Sequence, residues 1–439
     1  MLIEFTVGNF RSIREKNGLS MVASGLTARN KSLDADNVFR VREELSLLKT
    51  AAIYGPNAGG KTNFVRALRF MRELVLTSSS QTQINEPIAV EPFLLHEDTA
   101  EAPSFFEIVF ELGGVQYRYG FTLDRRHVHS EWLYYSGSSR ERTLFERDFQ
   151  SIKLGASFRK EGKGLDERTR PNALFLSVVA QWNGAVATQL LGWFQRLHII
   201  SGIPDHTASK ETLDQLSSEG PDRAALVRLV KSLDLGIEDI RIDSKDNAGP
   251  EPEPEDIKLR MERVVSKIQQ KYRPLSSVRV LHRRHSERGE TVAPVELDLE
   301  RHESDGTQKL FALAGLILGV LRRGEVCVGD EFDMRLHPLM TRELVRLFHS
   351  KDTNPHNAQL IFTTHDTNLL AIDLFRRDQI WFAEKDRLGA THLYSLAEFK
   401  VRNDASFEKD YIRGKFGAIP FLGGLRTVVD EVIDEASDG

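Results

Sequence analysis

The chain has 439 residues, 40% of them hydrophobic and 28% charged, a composition typical of a folded protein long enough for about two or three domains. Its formal net charge of −5 excludes a uniformly basic nucleic-acid binder, so any contact with nucleic acid must come from a local patch. The single cysteine, Cys327, excludes an internal disulfide framework and fits a reducing cytosol.

The amino-terminal segment has the alternating apolar and polar side chains of a strand over residues 1–7, and it carries no signal-peptide core. The longest apolar run, residues 310–321, is too short to span a bilayer. We therefore expect a cytoplasmic protein without a membrane partner. The first strand leads into the sequence NFRS at residues 9–12, and residues 19–23 are typical of a second strand.

A glycine-rich segment, AAIYGPNAGGKT at residues 51–62, joins a predicted buried strand to a predicted helix. Its last eight residues match the phosphate-loop pattern G-x-x-x-x-G-K-[ST]. Glycines at Gly55, Gly59 and Gly60 let the backbone turn sharply and bring its N–H groups up to a polyphosphate, where a side chain would clash. The alternative is a chance glycine-rich turn, and the flanking strand and helix argue against it.

Two residues at the end of this loop are suited to hold a nucleotide and its metal. Lys61 can reach the terminal phosphates as a point charge, and the Thr62 hydroxyl can coordinate Mg²⁺. Residues 63–76 have apolar side chains at helical spacing, and the amino terminus of such a helix attracts anions. We therefore predict a nucleotide site, and we include Asn57 and Asn63 among its residues.

The next part of the chain predicts antiparallel strands and then helices. Residues 105–110, 115–123 and 127–135 are strand-like runs separated by short turns, which is typical of antiparallel hairpins. Residues 174–197 and 206–233 have helical patterns.

A Pro- and Glu-rich stretch, NAGPEPEPED at residues 247–256, is typical of a flexible loop, and residues 257–272 predict a charged helix. Residues 278–282 and 292–299 predict two strands joined by a hairpin turn. No internal repeat stands out, and no heptad run is long enough for a coiled coil.

A short motif, SDGTQ at residues 304–308, precedes the apolar helix predicted for residues 309–321. Ser-x-Gly-x-Gln is weak by itself, because a helix N-cap explains a Ser or Asp at this place nearly as well. The position of the motif makes it more significant, because a hydrophobic strand at residues 326–329 follows shortly and ends in two acids.

These two acids, and a histidine after a later strand, are the candidates for catalysis. Asp330 is placed to bind Mg²⁺ directly or through water, and Glu331 to polarise the water that attacks the terminal phosphate. His365, after the strand at residues 359–364, can hydrogen-bond a γ-phosphate or orient that water. The alternatives are a solvated Asp-Glu turn and a surface or capping histidine. We predict Lys61, Glu331 and His365 as catalytic residues and Thr62 and Asp330 as metal ligands.

The order of these four motifs resembles that in the ABC-type ATPases of the RecF, OLD and structural-maintenance group. The sequence NFRS resembles the amino-terminal Asn-Phe-Arg motif of that group, in which the residue at the position of Arg11 contacts nucleotide. The chain is most similar to a bacterial abortive-infection family of AAA-type ATP-binding proteins. That similarity lies in the start of the chain and in the segments at residues 303–310, 330–333 and 411–420.

The resemblance implies an α/β fold, an ABC-type ATPase head made of a P-loop NTPase core sheet and an antiparallel β subdomain, with an inserted helical lobe. We expect an amino-terminal ATPase half at residues 1–181, the lobe at residues 182–273 and a carboxy-terminal half at residues 274–439. The cofactors implied are ATP and Mg²⁺.

The resemblance also implies a homodimer that encloses ATP between its subunits, and it leaves a higher oligomer open. The phosphate loop of one subunit would face Ser304 and Gly306 of the other, and Gln308 would belong to the same nucleotide-binding set. The sequence departs from transporter-type ABC proteins at Asp305, where Gly is usual. The metal-binding glutamine of the Q-loop is not identified, and the candidates are Gln81, Gln83 and the turn at residues 91–93.

Three functions are compatible with these motifs. The first is an ATPase that acts as sensor or scaffold in anti-phage abortive infection, with an effector in trans, a toxin or nuclease encoded nearby. The second is a RecF-like repair or recombination ATPase that binds DNA. The third is an ATP-gated scaffold with negligible turnover, against which Glu331 argues. The basic candidates for a DNA contact are Arg279, His282, Arg283, Arg284, His285 and Arg288.

A fused nuclease domain, as in OLD-like proteins, is the remaining possibility to weigh. Only residues 375–439 follow the predicted strand that precedes His365. This segment is short for such a domain, and it lacks a separated cluster of acids. We therefore expect no intrinsic nuclease activity.

Overall fold

The computed structural model describes residues 1–28, 30–81, 83–137, 140–202, 206–233, 236–242, 278–370, 373–401 and 406–420. The strands in this part of the chain are β1 (Leu2–Gly8), β2 (Asn17–Ser20), β3 (Val38–Arg42), β4 (Leu45–Leu48), β5 (Thr50–Tyr54), β6 (Ser104–Leu112), β7 (Val115–Leu123), β8 (Val128–Ser136), β9 (Arg142–Asp148), β10 (Ser151–Leu154), β11 (Leu197–Ile200), β12 (Ile237–Ile242), β13 (Val278–His285), β14 (Thr291–Asp298), β15 (Val326–Gly329), β16 (Gln359–Thr363), β17 (Ile380–Lys385) and β18 (Thr391–Ser395).

The α-helices of the same residues alternate with these strands. They are α1 (Lys31–Asp36), α2 (Lys61–Thr77), α3 (Glu97–Ala100), α4 (Arg159–Gly162), α5 (Phe175–Gln181), α6 (Ala185–Gln195), α7 (His206–Ser217), α8 (Pro221–Ser232), α9 (Leu299–His302), α10 (Asp305–Arg323), α11 (Pro338–His349) and α12 (Phe407–Ile412). None of these helices combines the length and the apolar character that crossing a membrane requires.

The central sheet has the strand order β11-β15-β16-β5-β17-β18. The strands from β11 to β17 are parallel, and β18 is antiparallel to β17. All residues of β5, β15 and β16 are buried, as expected of central parallel strands covered on both faces. Because the carboxyl ends of parallel strands meet at one edge, the loops that follow these three strands gather there.

A second sheet, antiparallel, has the order β10-β9-β8-β7-β6-β1-β2. The hairpins predicted for residues 105–135 are confirmed by the antiparallel pairing of β6 with β7 and of β7 with β8. The apolar face of this second sheet packs on α2. The ring centroids of Phe5 and Phe64 are 5.3 Å apart, and those of Phe106 and Phe70 are 5.1 Å apart. This core fixes the helix that follows the phosphate loop.

Helix α10 packs with α11 and with Tyr411, Phe416 and Ala418 in a second core, against the central sheet. It is also covered by α7, α8 and the three-stranded antiparallel sheet β12-β13-β14. The contact with α7 is close: the Thr212 hydroxyl donates to the Ala312 carbonyl at 2.7 Å and accepts from the Gly315 amide at 3.1 Å. The side-chain amide of Gln215 donates to the Gly315 carbonyl at 2.7 Å.

The described part of the expected lobe contains more than helices. Strand β11 lies inside the expected range of residues 182–273 but pairs with β15, so it extends the central sheet. Strand β12 pairs with β13, which lies in the expected carboxy-terminal half. The loop and helix predicted for residues 247–256 and 257–272 lie outside the described residues.

The helical pattern at residues 174–197 corresponds to two helices, α5 and α6, rather than to one. The chain breaks between them at Asn183, whose backbone φ of 62° is left-handed. Gly184 follows and is the N-cap of α6, and a Cβ there would lie 2.5 Å from Val179 Cγ1. The turn therefore needs glycine at this place.

Candidate functional site

The phosphate loop connects β5 to α2 at the edge of the central sheet where the strands end. Gly55 and Gly60 have backbone φ angles of 154° and 104°. A Cβ on Gly55 would collide with the Ala383 carbonyl, and one on Gly60 with the Thr391 side chain. The hairpin of β17 and β18 therefore packs so closely under the loop that only glycine fits. Asn57 is exposed on the loop.

The predicted phosphate-binding lysine lies at the first position of α2. Lys61 is only 5% exposed, and its ammonium group donates to the carbonyls of Gly55 at 2.8 Å and Pro56 at 3.0 Å. Burial lowers the pKa of Lys61 to about 8, and the nearby carboxylates partly oppose that shift. Gly60 is the N-cap of α2 and brings no side chain to the first N–H groups of the helix, which leaves them available to an anion.

Two predicted metal ligands meet across the sheet edge. The Thr62 hydroxyl donates to Asp330 Oδ1 at 3.2 Å, and the Thr363 hydroxyl donates to the same oxygen at 2.8 Å. Hydroxyl and carboxylate oxygens suit Mg²⁺, which commonly takes one or two protein carboxylates together with phosphate and water oxygens. In the described part of the chain, no group of three or more His, Cys, Asp and Glu side chains is placed to hold a metal ion. The donor set here fits a metal that arrives with a nucleotide.

Glu331 follows Asp330 in a strained turn. Its φ of 49° lies in the left-handed region, which costs free energy for a residue with a side chain. The Glu331 amide donates to the Thr363 hydroxyl at 2.7 Å, so the threonine that supports Asp330 also fixes the next residue. Gly202 lies beside this turn, where a Cβ would be 2.9 Å from the Cβ of Glu331.

His365 follows β16 and is exposed at the same edge. Its backbone amide donates to Asp333 Oδ2 at 3.2 Å, while Asp333 Oδ1 is buried and has no hydrogen-bond partner among the described residues. Desolvation and the charge of Lys61 lower the pKa of His365, although the nearby carboxylates oppose the shift. The imidazole is therefore biased to its neutral form. These contacts and charges bring together Lys61, Thr62, Asp330, Glu331 and His365.

The amino-terminal NFRS segment supports the base of the phosphate loop. The side-chain amide of Asn63 donates to the Ser12 hydroxyl at 2.8 Å, and that hydroxyl is 2.8 Å from the hydroxyl of Thr391. Thr391 in turn donates to the Gly59 carbonyl at 3.2 Å. A predicted nucleotide-binding residue, Asn63, therefore takes part in a network that holds the loop.

Arg11 lies next to this network. Its guanidinium group pairs with Glu91 Oε1 at 2.7 Å, and its backbone amide donates to the Glu91 carbonyl at 2.7 Å. Glu91 begins one of the three candidate Q-loop segments, and the amide of Phe93 in the same turn donates to Asn9. Among the described residues, this turn is the one of the three candidates that is bonded to the NFRS segment.

The SDGTQ motif forms the start of α10. Ser304 is the exposed N-cap, and its hydroxyl accepts from the Thr307 amide at 3.2 Å. Asp305 pairs with Arg335 at 2.9 Å, so its charge is partly neutralised. The side-chain amide of Gln308 donates to two backbone carbonyls, those of Glu300 and Glu303, which ties it to the preceding turn.

The residues predicted to bind nucleotide in the SDGTQ motif are not bonded to the phosphate loop of their own chain in the described part of the structure. Among the described residues, no hydrogen bond joins Ser304, Gly306 or Gln308 to that loop. A Cβ on Gly306 would instead lie 2.6 Å from the carbonyl oxygen of Arg335. Within one chain, this motif therefore adjoins the segment after Glu331.

Comparison with protein families gives one match that spans most of these motifs. Residues 51–371 match the family described as "AAA domain, putative AbiEii toxin, Type IV TA system", from the phosphate-loop strand to just after His365. The chain belongs to this family. Comparison with curated proteins gave no match. The predicted kinship with an abortive-infection ATPase family is confirmed, and the protein contains an AAA-type ATPase domain of the kind associated with toxin–antitoxin and abortive-infection systems.

In this AAA-domain protein, half of the basic residues considered for DNA binding are engaged with acids. Each pair joins neighbouring elements around β13, and its basic side chain is thereby less available to phosphates. The pairs are Arg279 with Asp298 at 2.5 Å, His282 with Glu303 at 2.7 Å, and Arg283 with Glu238.

Three residues of the site in this AAA-domain protein were not predicted from the sequence. Thr363 supports both acids, Thr391 supports the phosphate loop, and Lys309 of α10 donates to the carbonyls of the segment after Asp330. Lys309 is 2% exposed, and burial lowers its pKa to about 8. The one local signal was a lysine at the start of an apolar helical run, which indicates a buried partner.

Proposed function

We propose that this protein is a Mg²⁺-dependent ATPase that works as a head-to-tail homodimer, as sensor or scaffold of an anti-phage abortive-infection system. The proposal is carried by one observation, the meeting of Lys61, Thr62, Asp330 and Glu331 at the carboxyl edge of the central sheet. This set provides a cation that can bind phosphate, oxygens that can coordinate a metal ion, and a carboxylate that can polarise water. The match to the AAA-domain family supports the same conclusion.

Each of these residues has a task that its surroundings support. When bound, ATP would supply the phosphoanhydride bond, and Mg²⁺ would supply the positive charge that neutralises the phosphate oxygens. Lys61 and the first N–H groups of α2 would bind the phosphates, and the oxygens of Thr62 and Asp330 would hold the metal. The Glu331 carboxylate would accept a hydrogen bond from the attacking water and so polarise it. Neutral His365 would donate a hydrogen bond to the terminal phosphate.

The shared active site is supported by the exposed amino terminus of α10. Ser304 and Asp305 are exposed there, and the pairing of Asp305 with Arg335 reduces the negative charge that would repel a triphosphate. The motif makes no hydrogen bond to its own phosphate loop among the described residues. A second copy of the chain would bring this helix terminus to the phosphates from the opposite side.

A mixing experiment tests the shared site. Lys61→Ala removes the phosphate cation, and Ser304→Asp keeps the N-cap of α10 but adds a charge that repels phosphate. Each variant by itself should be inactive. A mixture should recover about a quarter of the wild-type ATPase rate, because half of the dimers are mixed and each holds one complete site.

The matched control for this experiment is Ser304→Asn, which keeps the cap without the charge and should retain most activity. An active site contained in one chain would leave the mixture as inactive as its components. That result would contradict a dimer in which two subunits share each active site. Sedimentation of Glu331→Gln with and without Mg·ATP gives the independent readout, because slow hydrolysis should trap the dimer.

An effector in trans completes the proposal. The layer of α7, α8 and the sheet β12-β13-β14 that covers α10 is a surface on which a partner could act on the ATP site. We expect phage protection to be lost both in Lys61→Ala and on deletion of the neighbouring effector gene. Metal-dependent cleavage of DNA by the pure protein, lost on mutating acids outside the ATP site, would refute an effector in trans.

A further inference from the structure

Inside one subunit, the ammonium group of Lys309 joins helix α10 to the turn that carries Glu331. We infer that Lys309 is a positioning residue, which holds Glu331 in the orientation that hydrolysis needs by binding the backbone of the turn that carries it. This inference rests on the proposed ATPase function and goes beyond it, because it assigns a role to a residue that lies outside the phosphate loop and the acidic pair.

The contact is made by all three donors of the ammonium group. Lys309 Nζ lies 2.7 Å from the carbonyl oxygen of Met334, 3.0 Å from that of Phe332 and 3.3 Å from that of Glu331. An ammonium group has three N–H donors and no acceptor, so these carbonyls account for its hydrogen bonds. Because the side chain is 2% exposed, water cannot replace them without opening the core.

The turn that Lys309 binds needs support from outside. Glu331 has a φ of 49° and Arg335 a φ of 64°, so the turn contains two residues with side chains in the left-handed region. Such conformations persist when the surroundings over-determine them. On one side Thr363 binds the amide of Glu331, and on the other side Lys309 binds three carbonyls. Without Lys309, the carbonyls of Glu331, Phe332 and Met334 lose their buried cationic partner.

Two further contacts join the start of α10 to the same turn. Asp305 pairs with Arg335 at 2.9 Å, and Gly306 packs against the carbonyl of Arg335. The residues of both contacts are exposed or half-exposed, so these contacts stabilise the turn less than the buried ammonium group does. A shift of α10 would therefore reach Glu331 mainly through Lys309.

The test compares Lys309→Met with a matched control, Lys49→Met. Lys49 is 1% exposed and donates to the His349 carbonyl at 2.8 Å, but it precedes β5 at the end of that strand opposite the phosphate loop. Both changes remove a buried ammonium group from a backbone carbonyl. Lys309→Met should lower kcat by about 10- to 100-fold with KM for ATP changed less than about twofold. Lys49→Met should leave kcat within about twofold.

Two additional variants separate positioning from a loss of folding. Lys309→Arg keeps a charged donor and should recover part of kcat. In the Glu331→Gln background, Lys309→Met should cause no further loss, because the carboxylate on which it acts is already absent. If Lys309→Met gives no cooperative melting transition, Lys309→Gln, which keeps two N–H donors, takes its place.

Hydrogen exchange reports on the contact independently of ATP turnover. Amides of Phe332, Met334 and Leu336 are hydrogen-bonded within or beside the turn, and they should exchange at least about tenfold faster in Lys309→Met but not in Lys49→Met. Unchanged exchange, an equal loss of kcat in the control, or a full further loss in the Glu331→Gln background would each overturn the inference. A wild-type chain without ATPase activity would instead overturn the proposed function.

Discussion

Thr62 and Asp330 lie 268 residues apart in the chain, yet Thr62 Oγ1 donates to Asp330 Oδ1 at 3.2 Å. The contact exists because β5 and β15 are both parallel strands of the central sheet, with only β16 between them. It places a hydroxyl and a carboxylate oxygen at one point of the sheet edge, and the predictions that concern the metal and the nucleotide start from it.

The first prediction concerns Thr62. Thr62→Val removes the hydroxyl and keeps the shape of the side chain, so we expect the Mg²⁺ concentration at half-maximal ATPase rate to rise by about tenfold or more. Thr62→Ser restores the hydroxyl and should restore metal dependence. The measurement is a magnesium titration of steady-state hydrolysis. Equal titrations for the two variants would remove Thr62 from the metal site.

The second prediction separates binding from chemistry. Glu331→Gln should leave ATP binding intact and lower hydrolysis by about 10²-fold or more, because a neutral amide polarises the attacking water much less than a carboxylate does. Lys61→Ala should instead weaken nucleotide binding, because it removes the buried cation. Equilibrium binding and single-turnover hydrolysis of both variants check this contrast. Wild-type hydrolysis by Glu331→Gln would contradict the role of the glutamate.

The third prediction follows from the lowered pKa of Lys61, about 8. Below pH 8 the ammonium form is present and can bind phosphate, and as the pH rises through 8 it is lost from the free protein. Bound phosphate favours the charged form, so ATP binding at pH 9 should take up a proton. We expect the Kd for ATP to rise between pH 7 and pH 9, approaching about tenfold per pH unit at the upper end.

Calorimetry in two buffers of different ionisation enthalpy measures this proton uptake directly. Lys61→Arg is the control, because the guanidinium group stays charged throughout the range and its ATP binding should take up no proton there. Uptake at pH 9 that is equal in both proteins would assign the titration to another group.

The fourth prediction concerns the packing of the lobe on α10. A Cβ on Gly315 would lie 2.5 Å from the Cα of Thr212, so Gly315→Ala should lower the free energy of unfolding by about 1–3 kcal/mol. Gly319→Ala is one turn further along, where a Cβ would meet only the ends of the flexible side chains of Arg323 and Glu211. It should be neutral or stabilise by up to about 1 kcal/mol.

Urea unfolding of both glycine variants provides the measurement. If Gly315→Ala is as stable as Gly319→Ala, then α7 does not pack against α10 at this point in solution.

Local sequence was sufficient for the elements that depend on neighbouring residues. The phosphate loop follows from eight consecutive residues, since its glycines and lysine act through their own backbone and side chains. The antiparallel hairpins of β6 to β8 follow from alternation and short turns. The two acids after β15 were found because a buried strand that ends in charge is a local pattern.

Side-chain contacts between separate elements could not be predicted from local sequence. Gln308, grouped by family resemblance with the nucleotide-binding residues, has its amide engaged by two carbonyls of the preceding turn. The role of Asp305 was open in the sequence, and its pairing with Arg335 depends on how α10 meets the turn after Glu331. Neither contact has a spacing rule, because each joins separate elements.

The sequence by itself determined that this chain has a phosphate loop, a pair of acids after a buried strand and a histidine after another, because each is written in consecutive residues. Only the tertiary structure decided that Thr363 supports both acids, that Thr391 supports the loop from 332 residues away, and that Lys309 binds the turn of Glu331. The reason is that parallel strands and packed helices bring together residues whose separation along the chain carries no information about their distance in space.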